Sequence, residues 1–245
     1  MTETIITGSA AQAGSRNVLS RLVGVVFSPR AAYADVAARP RVLGALAVVI
    51  AVIVGATFTF LSTDVGQQAS LANQVQQMES FGRTVSDAQY AQMERMAPYS
   101  RYFAAGAQLI FTPIMALIVA GLSFAVFNAI MGGDAPFKAV YAIVVHSGVI
   151  LALQALFNLP IAYARESMSG ATNLAVFFPF LDDKSFAARM LGSIDLFLIW
   201  WIVSVSIGLG VLYRKRTGPI ATTMLIVYAL IGVLIATIKS MTSGA

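Results

Sequence analysis

The chain has no cysteine, which removes disulfides, thiolate metal sites and cysteine nucleophiles together. A single histidine, His146, is too little for a histidine-based metal centre. Charge is scarce, at 11% of residues against about 25% in a soluble domain. No nucleophile–base pair is spelled out either. His146 and Ser147 are adjacent, and adjacent helical residues face different directions. The one Gly-rich turn lacks the lysine–serine ending of a phosphate loop. No metal, no cofactor and no enzymatic activity are therefore expected. Nucleic acid is not an expected partner, because the net charge of +5 is taken up by membrane orientation.

What the chain has instead is long apolar runs. Hydrophobic residues make up 58% of the 245, and mean hydropathy is +0.78. They gather into Val42–Ser62, Phe103–Met131, Lys138–Ala162, Ala188–Tyr213 and Pro219–Ser240. About 20 apolar residues in a helix cross the roughly 30 Å hydrocarbon core, and each run has that length with at most one acidic side chain. The expected fold is all-α: a polytopic integral membrane protein built as a bundle of five transmembrane helices over residues 42–240. The length leaves no room for a second globular domain. No internal repeat is visible, which argues against inverted-repeat transporter designs.

Residues 1–15 are small and polar and are expected to be disordered. No cleavable signal peptide is expected there, because Arg21 interrupts the apolar run Val18–Phe27 and no small-residue cleavage pattern follows. Over residues 16–41, Val18, Leu19, Leu22, Val23 and Val26 fall at helical spacing. A second amphipathic piece runs from Pro29 through Tyr33, Val36 and Ala37. Such helices suit the cytoplasmic interface, with Arg16, Arg21, Arg30, Arg39 and Arg41 toward anionic lipid headgroups or a protein partner. The same pattern suits a packed cap on the floor of the bundle.

The basic residues orient the chain. Those five arginines, Lys138, Arg214, Lys215 and Arg216 lie on one side. Arg83, Arg95, Arg101, Arg165, Lys184, Arg189 and Lys239 lie on the other. The cluster just before the first span counts most, so the N-terminus is expected in the cytoplasm and the C-terminus outside the inner (plasma) membrane.

Between the spans, residues 63–102 read as an outer helical hairpin. Leu71, Val75 and Met78 form one stripe, and Ser86 with Gln89 has the form of a capping box. A solvated connector and a partner-binding element both fit it. Gly132, Gly133, Asp134 and Pro136 form a structural turn, with the glycines ending one helix and Asp134 and Pro136 starting the next. Trp200 and Trp201 sit mid-span and are expected to pack inside, and glycines 121, 192, 208 and 210 allow close helix approach.

Polar residues within the runs are the remaining carriers of chemistry. At 1.5 Å per residue, Asp195 lies roughly 10 Å from the outer end of its run, Gln154 about 12 Å and Asn158 about 6 Å. Gln108 falls in the same layer, and His146 belongs to an inner one. Asp195 admits two readings: a helix-packing hydrogen bond, or a proton or cation site with Gln154 and Gln108 as neighbours. For His146 a helix–helix hydrogen bond is the simpler reading.

Three segments carry a family likeness: Phe27-Ser28-Pro29-Arg30-Ala31-Ala32-Tyr33 through Arg39-Pro40, Met131-Gly132-Gly133-Asp134-Ala135-Pro136-Phe137-Lys138-Ala139, and Ile194-Asp195-Leu196-Phe197-Leu198-Ile199-Trp200 followed by Ile207-Gly208-Leu209. In their order and spacing the chain resembles the Yip domain family, whose eukaryotic members interact with Ypt/Rab GTPases. The likeness runs from about residue 20 to 240, and the first outer loop looks like that of bacterial members. The family's Tyr-Ser pair is His146-Ser147 here, and no proline follows until Pro160. The resemblance implies five spans, a cytoplasmic N-terminus and a membrane-organising or trafficking-type role. The expected function is a non-enzymatic scaffold or adaptor. The alternative is a small-solute or ion carrier or channel using the polar cluster Asp195, Gln154, Asn158, Gln108 and His146. Assembly with further copies of the chain is open to either.

Overall fold

The computed structural model describes residues 17–168, 170–182 and 185–242. The expected disorder of residues 1–15, Arg16 and Lys184 lie outside these. Among the described residues the chain is helical, with one isolated antiparallel bridge between Asn173 and Asp195.

Local sequence explains where most helices start. The Asn17 side chain accepts from the Ser20 N–H at 2.8 Å and opens α1, Val18–Phe27. Pro29 occupies the first position of α2, Pro29–Ala38, where its missing N–H costs nothing. The first apolar run forms α3, Leu43–Leu61. Thr63 then caps α4, Asp64–Ser80, and Ser86 and Gln89 form the expected capping box at the head of α5, Asp87–Met96. A 3-10 turn at Ala97–Tyr99 joins α5 to α6, Ser100–Phe124, which continues as a π-helical stretch over Ala125–Ile130. The next run holds α7, Phe137–Ser147, and α8, Val149–Arg165, and the chain closes with α9, Phe186–Gly192, α10, Leu196–Leu212, and α11, Thr217–Thr242.

Among the described residues, four segments are long and apolar enough to cross a bilayer: Leu43–Leu61, Asp87–Ile130, Phe137–Arg165 and Thr217–Met241. The run Ala188–Tyr213 behaves differently from the single helix expected of it. It breaks at Ser193–Asp195 into α9 and α10. The cause is chemical: the Asp195 carboxylate captures two backbone N–H groups and starts a new helix. The apolar helix α10 has 17 residues, the lower limit of the ~17–25 that span a bilayer.

The turn between α6 and α7 is built as a tether. Gly132 has φ +68°, which a residue without Cβ adopts freely. The Asn128 amide donates to the Ala135 carbonyl at 2.9 Å and accepts from the Tyr213 hydroxyl. Asp134 makes no cap, contrary to expectation. Pro136 holds the N-cap position of α7 without a side-chain bond.

The N-terminal helices belong to the core. Ala32, Tyr33 and Val36 of α2 are fully buried against Val25 of α1 and Ala142 and Ile143 of α7, with Ile207 and Val211 of α10 around them. Helix α7 is buried on nearly every face, from Ala142 without interruption to Ser147. The other side of α1 is open: Leu19, Val23 and Phe27 are exposed at a spacing of four residues, one stripe of the helix. One face of the N-terminal helices is thus packed into the bundle, and another face of α1 is exposed.

Candidate functional site

The polar residues expected to form one intramembrane cluster separate into distinct groups, each anchored by a different set of helices. One group centres on Asp195 at the break before α10. The Phe197 and Leu198 N–H groups donate to its Oδ1 at 2.8 and 3.1 Å. The Gln154 amide of α8 donates to Oδ2 at 2.9 Å, and the Thr172 hydroxyl donates to the same oxygen. The Asp195 N–H in turn donates to the Tyr228 hydroxyl of α11, which donates to the Ser193 carbonyl at 2.8 Å. Backbone bonds from Leu174 to Ile194 and from Leu196 to Thr172 complete a clamp. Asp195 therefore ties α8, α10, α11 and the loop through Thr172 together. Its carboxylate accepts four hydrogen bonds, about the full capacity of a carboxylate.

Gln108 is elsewhere. Its amide donates to Thr57 of α3 at 2.9 Å, and its carbonyl oxygen is buried with no partner among the described residues. It does not join Asp195, because α6 packs against α3 whereas α8 and α11 flank Asp195. The Asn158 carbonyl oxygen is likewise buried without a partner and is not bonded to Asp195.

A second group lies where α2 meets α7 and α10. The Tyr33 hydroxyl is 2.6 Å from Ser147 Oγ and 2.5 Å from Ser204 Oγ. The Ser147 proton is committed to the Ile143 carbonyl at 2.8 Å, so Tyr33 donates to Ser147 and accepts from Ser204. His146 is buried, and its Nδ1 donates to the Ala142 carbonyl one turn back at 2.7 Å. That bond stays within α7, so it is an intrahelical contact and not the helix–helix hydrogen bond expected.

Beside it, Arg21 is 1% exposed and its Nε lies 2.8 Å from Asp35 Oδ2. One terminal nitrogen also donates to the Arg39 carbonyl at 3.0 Å. The expectation that Arg21 faces lipid headgroups or a partner is corrected here. Its position in α1 is on the buried face with Leu22 and Val25, and an intrachain carboxylate takes its charge. Arg30, Arg39 and Arg41 are exposed, whereas Arg16 lies outside the described residues.

Several of these residues were not singled out from the sequence. Tyr33 counted only as an apolar member of a stripe; a hydroxyl on an otherwise apolar face was the available clue. Tyr228, a lone tyrosine inside an apolar run, offered the same clue. Thr172, in an irregular loop, gave none. The two tryptophans divide: Trp201 packs beside Val205 and Leu209, whereas Trp200 is 38% exposed.

Burial pushes the Tyr33 hydroxyl up from 10.0 to about 12, against the opposing pull of its bonds to Ser147 and Ser204. The unfolded chain therefore ionises this group first. Its contribution is intact below pH 10 and drains away as pH rises from 10 toward 12. Tyr33→Phe is expected to cost ~1 kcal/mol near neutral pH, since it strands the Ser204 hydroxyl. The variant should also lose less stability than the parent above pH 10. Melting curves of both proteins in detergent across pH 8–11.5 measure the difference, and parallel curves would contradict it.

Residues 23–238 match the Yip1 domain family. The chain is similar to "Membrane protein YknW" of Bacillus subtilis (strain 168), at 28% identity over 203 residues, covering 82% of this chain and 79% of that protein. No solved structure matches.

Proposed function

The chain belongs to the Yip1 domain family, and from that premise we propose that it is a non-enzymatic membrane scaffold or adaptor of the inner membrane. Its N-terminus faces the cytoplasm, its C-terminus faces outside, and α10 makes a fifth crossing. The observation that carries this reading is the attachment of α1 and α2. They are locked into the bundle through Tyr33 and Val36, yet they leave Leu19, Val23 and Phe27 exposed and hold Arg30, Arg39 and Arg41 in solvent. An apolar stripe beside basic residues suits the acyl–headgroup boundary of an anionic leaflet, and the same surface is available to a protein partner. Rigid attachment makes that surface a fixed platform. Deleting residues 1–41 would not test it, since removal of Tyr33 and Val36 would open the core along α7 and α10.

A carrier built on Asp195 has less support. Its carboxylate is occupied by four donors, and the groups around it hold elements together rather than line a passage. The experiment combines both sites. Replacing Arg30, Arg39 and Arg41 with Glu should leave thermal unfolding unchanged while cutting co-purified anionic lipid, or crosslinked partner, by about tenfold, a loss of roughly 1.4 kcal/mol. Retention of both would refute the platform. Wild-type proteoliposomes should pass no proton or cation current, and Asp195→Asn should lower the melting temperature only. A wild-type current abolished by that substitution would assign the site to transport instead.

A further inference from the structure

A cavity of about 870 Å³ lies between the outer ends of α3 and α6 and the hairpin of α4 and α5. That is within the ~300–1,000 Å³ of small-molecule sites. Its wall has two kinds of surface. Met78, Met93 and Met96 supply flexible apolar contact, and glutamines and serines supply uncharged polar contact. Among the described residues, no acidic or basic side chain lines it. Two of its polar groups are unfinished. Gln108 Oε1 and Ser100 Oγ are both buried, with no hydrogen-bond partner among the described residues. An orphaned buried acceptor is costly, so a bound group that donates there would be favoured.

The cavity also has a depth. Thr57 lies about 6 Å inside the outer end of α3, and Gln108 about 12 Å inside that of α6, at 1.5 Å per residue. It therefore begins in the extramembrane hairpin and reaches the level of acyl chains. On the same turns of α6, Leu109, Ile110 and Phe111 are exposed to the surrounding apolar phase.

We propose that this cavity binds a neutral single-chain amphiphile bearing a hydroxyl or amide donor, of the monoacylglycerol type, drawn from the outer leaflet. The methionines take the chain, and Gln108 and Ser100 take the donor. Neutrality follows from the wall: a phosphate or carboxylate would enter with no cation to meet it. The site also gives the methionine and glutamine stripes of α4 and α5 a role beyond connecting two spans.

The test uses the full chain in nanodiscs and a monoacylglycerol with a diazirine in its acyl chain. After irradiation, saturable labelling is expected on the peptide holding Met93 and Met96, competed by unlabelled monoacylglycerol. Ala107→Trp fills the cavity and should cut that labelling by about tenfold, while labelling of the lipid-facing Ile110–Met115 segment stays constant. Met93→Trp repeats the test on α5, which has no buried residue and so tolerates the change in folding. Gln108→Leu should weaken labelling several-fold, and Thr57→Val should not. Labelling confined to the lipid-facing segment, hairpin labelling indifferent to both filling substitutions, or better competition by an anionic lysophospholipid would each overturn the proposal.

Discussion

Removing the carboxylate of Asp35, by Asp35→Leu, is expected to destabilise the protein by ~3–5 kcal/mol. The substitution leaves the Arg21 guanidinium 1% exposed with only the Arg39 carbonyl to meet it. Arginine cannot escape by losing its proton, so the charge stays buried and unmatched. The converse change, Arg21→Met, should cost less, ~3 kcal/mol or below, because Asp35 is 24% exposed and water screens it in part. The double variant Arg21→Met with Asp35→Leu removes both charges and preserves apolar volume, so most of the loss should be recovered. Thermal unfolding of the four proteins in one detergent supplies the cycle. Additive losses would mean that the two side chains do not act as a pair, and the account of how α1 is held to α2 would fall. Trypsin gives a second readout: an undocked α1–α2 exposes the backbone after Arg30 and Arg41 to cleavage, whereas Arg39 precedes Pro40 and resists it.

The second large effect is expected at Gly208. A Cβ there would lie 2.4 Å from Ile143 Cγ2 and 3.1 Å from the Tyr33 ring, and both of those residues are 0% exposed. Neither has room to move aside. Gly208→Ala should therefore cost ~1–3 kcal/mol by overpacking, and Gly208→Leu should prevent α2 from seating between α7 and α10. Gly121→Ala is the matched control. Nothing lies within 4 Å of a Cβ at Gly121, so the change should be neutral, or stabilising by up to ~1 kcal/mol through helix propensity. If both alanine variants melt alike, the close approach at Gly208 does not hold α2 in place. Together the Asp35 and Gly208 experiments ask one question from two sides, charge and volume: whether the N-terminal helices are part of the body.

Four glycines looked equivalent as close-approach positions and proved unequal. Gly208 and Gly210 have neighbours within 3.1 Å of a built Cβ, Gly192 has one at 3.9 Å, and Gly121 has none. Spacing along a helix says which face a glycine occupies, but only the neighbouring helix decides whether that face is crowded. The polar residues teach the same lesson. Asp195, Gln154 and Gln108 fall at similar depths, yet Asp195 meets Gln154 across α8 and α10, whereas Gln108 meets Thr57 across α6 and α3. Depth is a coordinate within one helix. Partnership depends on which helices are neighbours.

By itself the sequence determined the properties that are local: the membrane class, through apolar runs of spanning length; the Ser86–Gln89 capping box at the head of α5; the tight Gly132–Gly133 turn; and the Yip1 likeness carried by three short segments. Each of these depends on residues a few positions apart, where periodicity and capping chemistry act directly. Tertiary structure alone decided that Arg21 turns inward to Asp35, that Tyr33 reaches serines 114 and 171 residues away, and that Asp195 breaks a hydrophobic run to clamp three helices. These outcomes follow from burial. A polar group removed from solvent must be satisfied by whatever the packing brings near, and packing across such separations leaves no periodic trace in the chain.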